Sequence, residues 1–114
     1  MASMTYHVDL KGKKYLVTQQ FQLADMDRWD DDIRDWIADQ LDITLNEEHI
    51  AAINFIRTTY QRRKQHPMVR VVAKALGDQF GEEKGSLRYF YSLFPKGVHQ
   101  AVTIAGLPVR GMCF

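Results

Sequence analysis

The chain has 114 residues, a formal net charge of +1 and one cysteine. That length fits one domain with a core of its own, and 46% hydrophobic with 25% charged residues excludes a disordered chain. A lone cysteine excludes an internal disulfide and a cysteine-rich zinc site. No apolar run reaches the ~18 residues of a membrane span, and the first residues lack the apolar stretch expected of a signal peptide. A cytoplasmic protein in a reducing compartment is expected.

The charge is unevenly spread. Residues 1–56 carry five Lys/Arg against eleven acids, a balance of −6, whereas residues 57–114 carry ten against three, a balance of +7. Such polarity either steers a charged partner or is neutralised within the folded surface.

Tyr6, Val8 and Leu10 alternate with polar residues, as do Tyr15 and Val17, and Lys11-Gly12 lies between them. This predicts a β-hairpin over 5–18, with Phe21 and Leu23 as a short third strand. Trp29, Ile33, Trp36, Ile37 and Leu41 then fall on one helical stripe, with Asp25 and Asp27 at its N-terminal end. Thr44 and Glu47 form a capping-box pattern for a second helix, buried through Ile50, Ile53, Ile56 and Tyr60. Pro67 suits the first position of a third helix over 68–80, with Val69, Val72, Leu76 and Phe80 inward and Gly77 and Gly81 as terminators. Leu87, Phe90, Tyr91 and Phe94 define a fourth helix. Val98, Ala101, Val102 and Ala105 define a fifth, over 98–105.

The expected fold is therefore mainly α with a small N-terminal β-hairpin, an α+β arrangement. About five helices pack as an orthogonal bundle with a helix-turn-helix-like corner. The chain divides into a hairpin region (5–23), a helical body (26–105) and a mobile C-terminal arm (106–114), all within one domain. Eight residues separate Ala105 from Cys113, an extended reach of ~26 Å.

Cys113 is the second residue from the end of the sequence, an odd place for a residue type that is usually buried. A mobile thiol can enter another protein's active site and carry off a sulfur. The thiolate does that work, and at a pKa of about 8.5 basic neighbours would raise its share. The bland alternative is a tail that Met112 and Phe114 pack onto the body. His7, His49, His66 and His99 lack metal-ligand spacing and read as surface or capping residues. No metal and no cofactor are called for, and no phosphate-binding glycine loop occurs. The corner between the second and third helices could instead present Arg70, Lys74 and Arg88 to nucleic-acid phosphates.

From Thr44 onward the sequence resembles the DsrC/TusE family of sulfur-relay proteins. The resemblance rests on Asn46-Glu-Glu-His49, Pro67-Met-Val-Arg70, Lys74-Ala-Leu-Gly77 and Phe80-Gly-Glu-Glu-Lys-Gly85. It continues through Arg88-Tyr89, Tyr91, Leu93-Phe-Pro-Lys-Gly97, Ile104-Ala-Gly-Leu-Pro108 and Cys113. It implies a persulfide on Cys113, accepted from an upstream sulfurtransferase donor complex and delivered to a downstream thiolation enzyme, with tRNA entering only through that enzyme. Arg70, Lys84, Arg88 and Lys96, within the resembling segments, are the candidates for docking a partner or activating the thiol. Two-cysteine members carry a second cysteine eleven residues earlier, where this chain has Val102. The likeness is thus to single-cysteine, TusE-like members serving 2-thiolation of the tRNA wobble uridine. A DsrC-like paralogue in sulfur oxidation and a nucleic-acid-binding regulator remain the alternatives.

Overall fold

A computed structural model describes residues 4–109. Strands β1 (Thr5–Leu10) and β2 (Lys13–Thr18) pair antiparallel with Leu10 opposite Lys13. Lys11 (φ 50°) and Gly12 (φ 81°) make the two-residue turn whose twist suits a hairpin. Val8, Tyr15 and Val17 face the core, whereas Tyr6 is exposed. The expected third strand is reduced to one bridge between Val17 and Leu23. The reason is a sharp turn: Phe21 is left-handed, and the Thr18 hydroxyl accepts from the Gln20 and Gln22 N–H groups.

Helix α1 spans Asp31–Gln40 and starts later than its stripe suggested. Asp25 caps a separate 3-10 turn, Met26–Arg28, and Trp29 beyond it is extended. Asp30 is the true cap of α1, accepting from the Ile33 N–H at 3.1 Å in a β-region conformation that stops the helix from beginning earlier. Ile33 and Ile37 remain on the buried face, but Trp29 is released for another role.

The Asp30 carboxylate also accepts from Lys13 Nζ at 2.6 Å and Tyr15 Oη at 2.5 Å, which fastens the hairpin to α1. Desolvation pushes its pKa up, but these donors and the Ile33 N–H outweigh it and hold the group at about 2. A folded pKa below the ordinary value near 4 adds stability above that ordinary value, and the gain is lost as pH falls through about 2. Asp30→Asn keeps a capping side chain and removes the charge. It is expected to cost about 1 kcal/mol at pH 7, a figure discounted for partial exposure. Urea midpoints of the two proteins should converge between about pH 4 and pH 2; a gap that persists at pH 2 would refute this assignment.

Helix α2 covers Glu47–Arg63, and its capping box differs from the expected Thr44 and Glu47 pair. Asn46 Oδ1 accepts from the His49 N–H at 3.0 Å, and His49 Nδ1 accepts from the Asn46 N–H at 3.2 Å. His49 Nε2 donates to the Leu93 carbonyl at 2.8 Å, so one buried imidazole caps α2 and ties it to the next layer. Ile53 and Ile56 are fully buried, with Ile50 and Tyr60 half-buried beside them.

Helix α3 is Val69–Phe80, with Met68 as its cap residue, so Pro67 precedes the helix instead of opening it. Gly81 (φ 114°) ends α3, but Gly77 lies inside it. Gly77 is needed for proximity: a Cβ there would sit 2.8 Å from Gly85 Cα. Gly85 closes the 3-10 turn Glu82–Lys84, which packs on α3. Helix α4 (Leu87–Leu93) is capped by the Ser86 hydroxyl, which accepts from the Tyr89 N–H. Phe90 and Phe94 are buried, whereas Tyr91, expected on the same face, is 45% exposed.

Helix α5 (Val98–Ile104) packs against α1 and α2 and is buried at every residue except His99. Gln100 survives burial because its Oε1 accepts from the Lys96 N–H, and Thr103 because its hydroxyl donates to the His99 carbonyl. No helix among the described residues is long and apolar enough to cross a membrane.

Candidate functional site at the root of the C-terminal segment

Residues 106–108, expected as the start of the arm, are fixed to the body. Leu107 is 2% exposed, its N–H donates to the Val102 carbonyl at 3.2 Å, and Val109 packs against the core. Three side chains hold carbonyls at residues 104, 105 and 108. Trp29 Nε1 donates to Ile104 O at 2.9 Å, Arg57 Nη1 to Ala105 O at 2.6 Å, and His66 Nε2 to Pro108 O at 2.6 Å.

The three holders are braced in turn. The Arg57 guanidinium lies over the Trp29 ring at 4.1 Å, a stacked geometry suited to a planar cation. Burial pulls the Arg57 pKa down and Asp27 partly opposes that. His66 packs on the Tyr60 ring at 4.8 Å between centroids. Gly106 (φ 70°) passes so close to Trp29 that a Cβ there would lie 2.3 Å from the indole Cδ1.

Cys113 lies outside the described residues. Because the chain is anchored through Pro108, the covalent reach of the thiol is counted from Val109, four residues away. That bounds it at ~13 Å, half the distance expected from the sequence.

The four basic candidates are dispersed among several elements. Arg70 is exposed on α3, Arg88 on α4, and Lys96 in the loop before α5, where it lines a shallow hollow with Tyr91 and His99. Lys84 is engaged: its ammonium donates to Tyr89 Oη at 2.9 Å and to Glu48 Oε1 at 3.3 Å, while Tyr89 Oη donates to Glu48. The Tyr89 hydrogen bond, then Glu48, raises the Lys84 pKa, and the same network lowers that of Glu48. No hydrogen bond or ion pair among the described residues joins any two of the four candidates.

Sequence reasoning missed Trp29, Arg57 and His66. One signal was present. Arg57 interrupts the stripe of Ile50, Ile53, Ile56 and Tyr60, where a cation must find buried acceptors.

Comparison with known proteins gives the family. The family model described as DsrC-like protein matches residues 9–114. The chain is 37% identical to Sulfurtransferase TusE of Pectobacterium atrosepticum over 107 residues, covering 93% of this chain and 98% of the relative. It is 38% identical to Sulfurtransferase TusE of Escherichia coli over 104 residues, covering 90% and 95%. The solution structure of Allochromatium vinosum DsrC superposes with a TM-score of 0.84 at 38% identity, covering 97% of this chain and all of that one. The oxidized sulfite reductase gamma-subunit (DsrC) of Archaeoglobus fulgidus gives 0.84 at 30% identity, covering 96% and 100%. With matches of this extent across sequence and fold, the chain belongs to the DsrC-like family.

Proposed function

We propose that this protein relays sulfur as a persulfide on Cys113, between a sulfurtransferase donor and the enzyme that 2-thiolates the tRNA wobble uridine. The observation that carries the reading is the anchored 104–108 segment. The one cysteine lies five residues beyond it in the sequence, in a chain whose curated relatives are named sulfurtransferases.

The chemistry needs no external oxidant. The Cys113 thiolate attacks the outer sulfur of a donor persulfide, an S–S bond forms on Cys113, and the donor leaves as a thiolate. An acceptor thiolate then attacks the outer sulfur on Cys113 and regenerates the free thiol. Position 102 argues for this one-thiol cycle over a two-cysteine one, since the valine there supplies no second thiol. Arg70, Arg88 and Lys96 supply exposed cations for partner docking in this reading, while Lys84 holds α2 against α4 through Glu48 and Tyr89.

Incubation with a cysteine desulfurase and cysteine should add one sulfur atom to the C-terminal peptide, read by mass spectrometry. Cys113→Ser should abolish that uptake, and uptake retained by the serine variant would overturn the reading. In Escherichia coli lacking its own TusE, the wild-type chain should restore thiolated tRNA. Sulfur loading without restored tRNA would point to the sulfur-oxidation alternative. Salt-dependent DNA binding that survives Cys113→Ser would point to the regulator.

A further inference from the structure

We infer that the groove between the end of α2 and the start of α3 is a docking surface for an acidic protein segment presenting an apolar side chain. The inference deepens the relay reading by assigning the face on which a sulfur-exchanging partner sits. A hollow of about 240 Å3 is lined there by Thr59, Arg63, His66, Pro67, Met68 and Val71. That is smaller than the ~300–1,000 Å3 of ordinary small-molecule sites, and it suits an inserted side chain better than a cofactor.

Three observations define the occupant. Met68 and Val71 are 55% and 46% exposed, two of the few large apolar side chains left open on the described surface. Methionine and arginine together mark the centres of protein interfaces, whereas nucleic-acid backbones do not call for exposed Met and Val. The charge is one-sided as well: from His49 to Gly77 the sequence contains no Asp or Glu. Arg62, Arg63, Lys64 and Arg70 are exposed or half-buried there and take part in no ion pair among the described residues. An acidic partner meets complementary potential, and its approach is accelerated by it.

The third observation is position. His66 lines the hollow and also holds the Pro108 carbonyl, so the groove adjoins the point from which Cys113 is tethered. A partner seated there sits beside Pro108, five residues before Cys113 in the sequence.

The test is a titration of the full-length, 15N-labelled chain with a glutamate-rich peptide bearing leucines at helical spacing. Amide shifts should centre on Thr59, Arg63, Met68 and Val71 and shrink between 50 and 200 mM salt, conditions chosen to span a roughly twofold change in Debye length. Met68→Glu with Val71→Glu should weaken the peptide about tenfold or more. Both sites are exposed, so the melting temperature should hold; Arg63→Gln provides a second variant that leaves the apolar pair intact. Loading of Cys113 by inorganic polysulfide should be unchanged in all variants, which separates failure of the docking surface from failure of the relay chemistry. Shifts centred elsewhere, an undiminished response of the double variant, or tighter binding of an RNA hairpin by the same residues would overturn the proposal.

Discussion

Gly106→Ala is expected to lower the melting temperature by about 10 °C or more and to release the residues beyond it. Two costs add. The left-handed backbone at Gly106 penalises any Cβ by about 1–2 kcal/mol. The new methyl would also lie 2.3 Å from Trp29 Cδ1 and 3.2 Å from Leu23 Cδ2. The indole cannot simply swing aside, because its Nε1 is bound to Ile104 O and its face is covered by Arg57. Overpacking of this kind typically costs about 1–3 kcal/mol. The sum is a large share of a domain's ~5–15 kcal/mol, and at this size each kcal/mol moves the melting point by several degrees. A calorimetric melt decides it; an unchanged midpoint would show that Trp29 has room to move.

Arg57→Ala should cost about 2–3 kcal/mol, and Arg57→Lys should recover less than half of that. Arg57 donates to Ala105 O, reaches Met26 O at 3.5 Å and covers Trp29. Alanine leaves the carbonyl of the fully buried Ala105 without its charged donor, worth about 1.5–3 kcal/mol. Lysine restores a charge but not the plane that stacks on the indole while its edges donate to carbonyls. Denaturant midpoints for the two variants provide the comparison. Combined with Gly106→Ala, the alanine change should be less than additive, since both act through Trp29. Equal stability of the lysine variant and wild type would mean that charge alone matters here.

Much of the fold was legible because periodicity is local. Ile33 and Ile37, Ile53 and Ile56, Val72 and Leu76 repeat at helical spacing, and each pair is buried. The errors occur where one local rule competes with another. Thr44 and Glu47 fit a capping box, but Asn46 and His49 fit it too, and the imidazole has a second acceptor on Leu93 that no local pattern announces. Gly77 resembles a helix terminator until the fold brings Gly85 against it.

The anchored segment was less legible for the same reason. The Ile104 to Pro108 run stood out as a motif, yet its donors lie 75, 48 and 42 residues away in sequence. A spacing rule reads neighbours along one element and cannot pair an indole at position 29 with a carbonyl at 104. The groove beside His66 emerges only when α2 and α3 are folded against each other.

The near-complete burial of α5 has a consequence for how the protein opens. A last helix ordinarily frays first, and its amides exchange with solvent far faster than those of the core. Here the last helix of the described residues is sheathed by α1 and α2, and three carbonyls from its final residue to Pro108 are held by side-chain donors. Amide protons of Val102, Ile104 and Leu107 should therefore exchange only through global unfolding, at rates set by the stability of the whole domain. The anchored run from Ile104 to Pro108 belongs to the slowest-exchanging part of the molecule, and any loss of stability elsewhere is felt there.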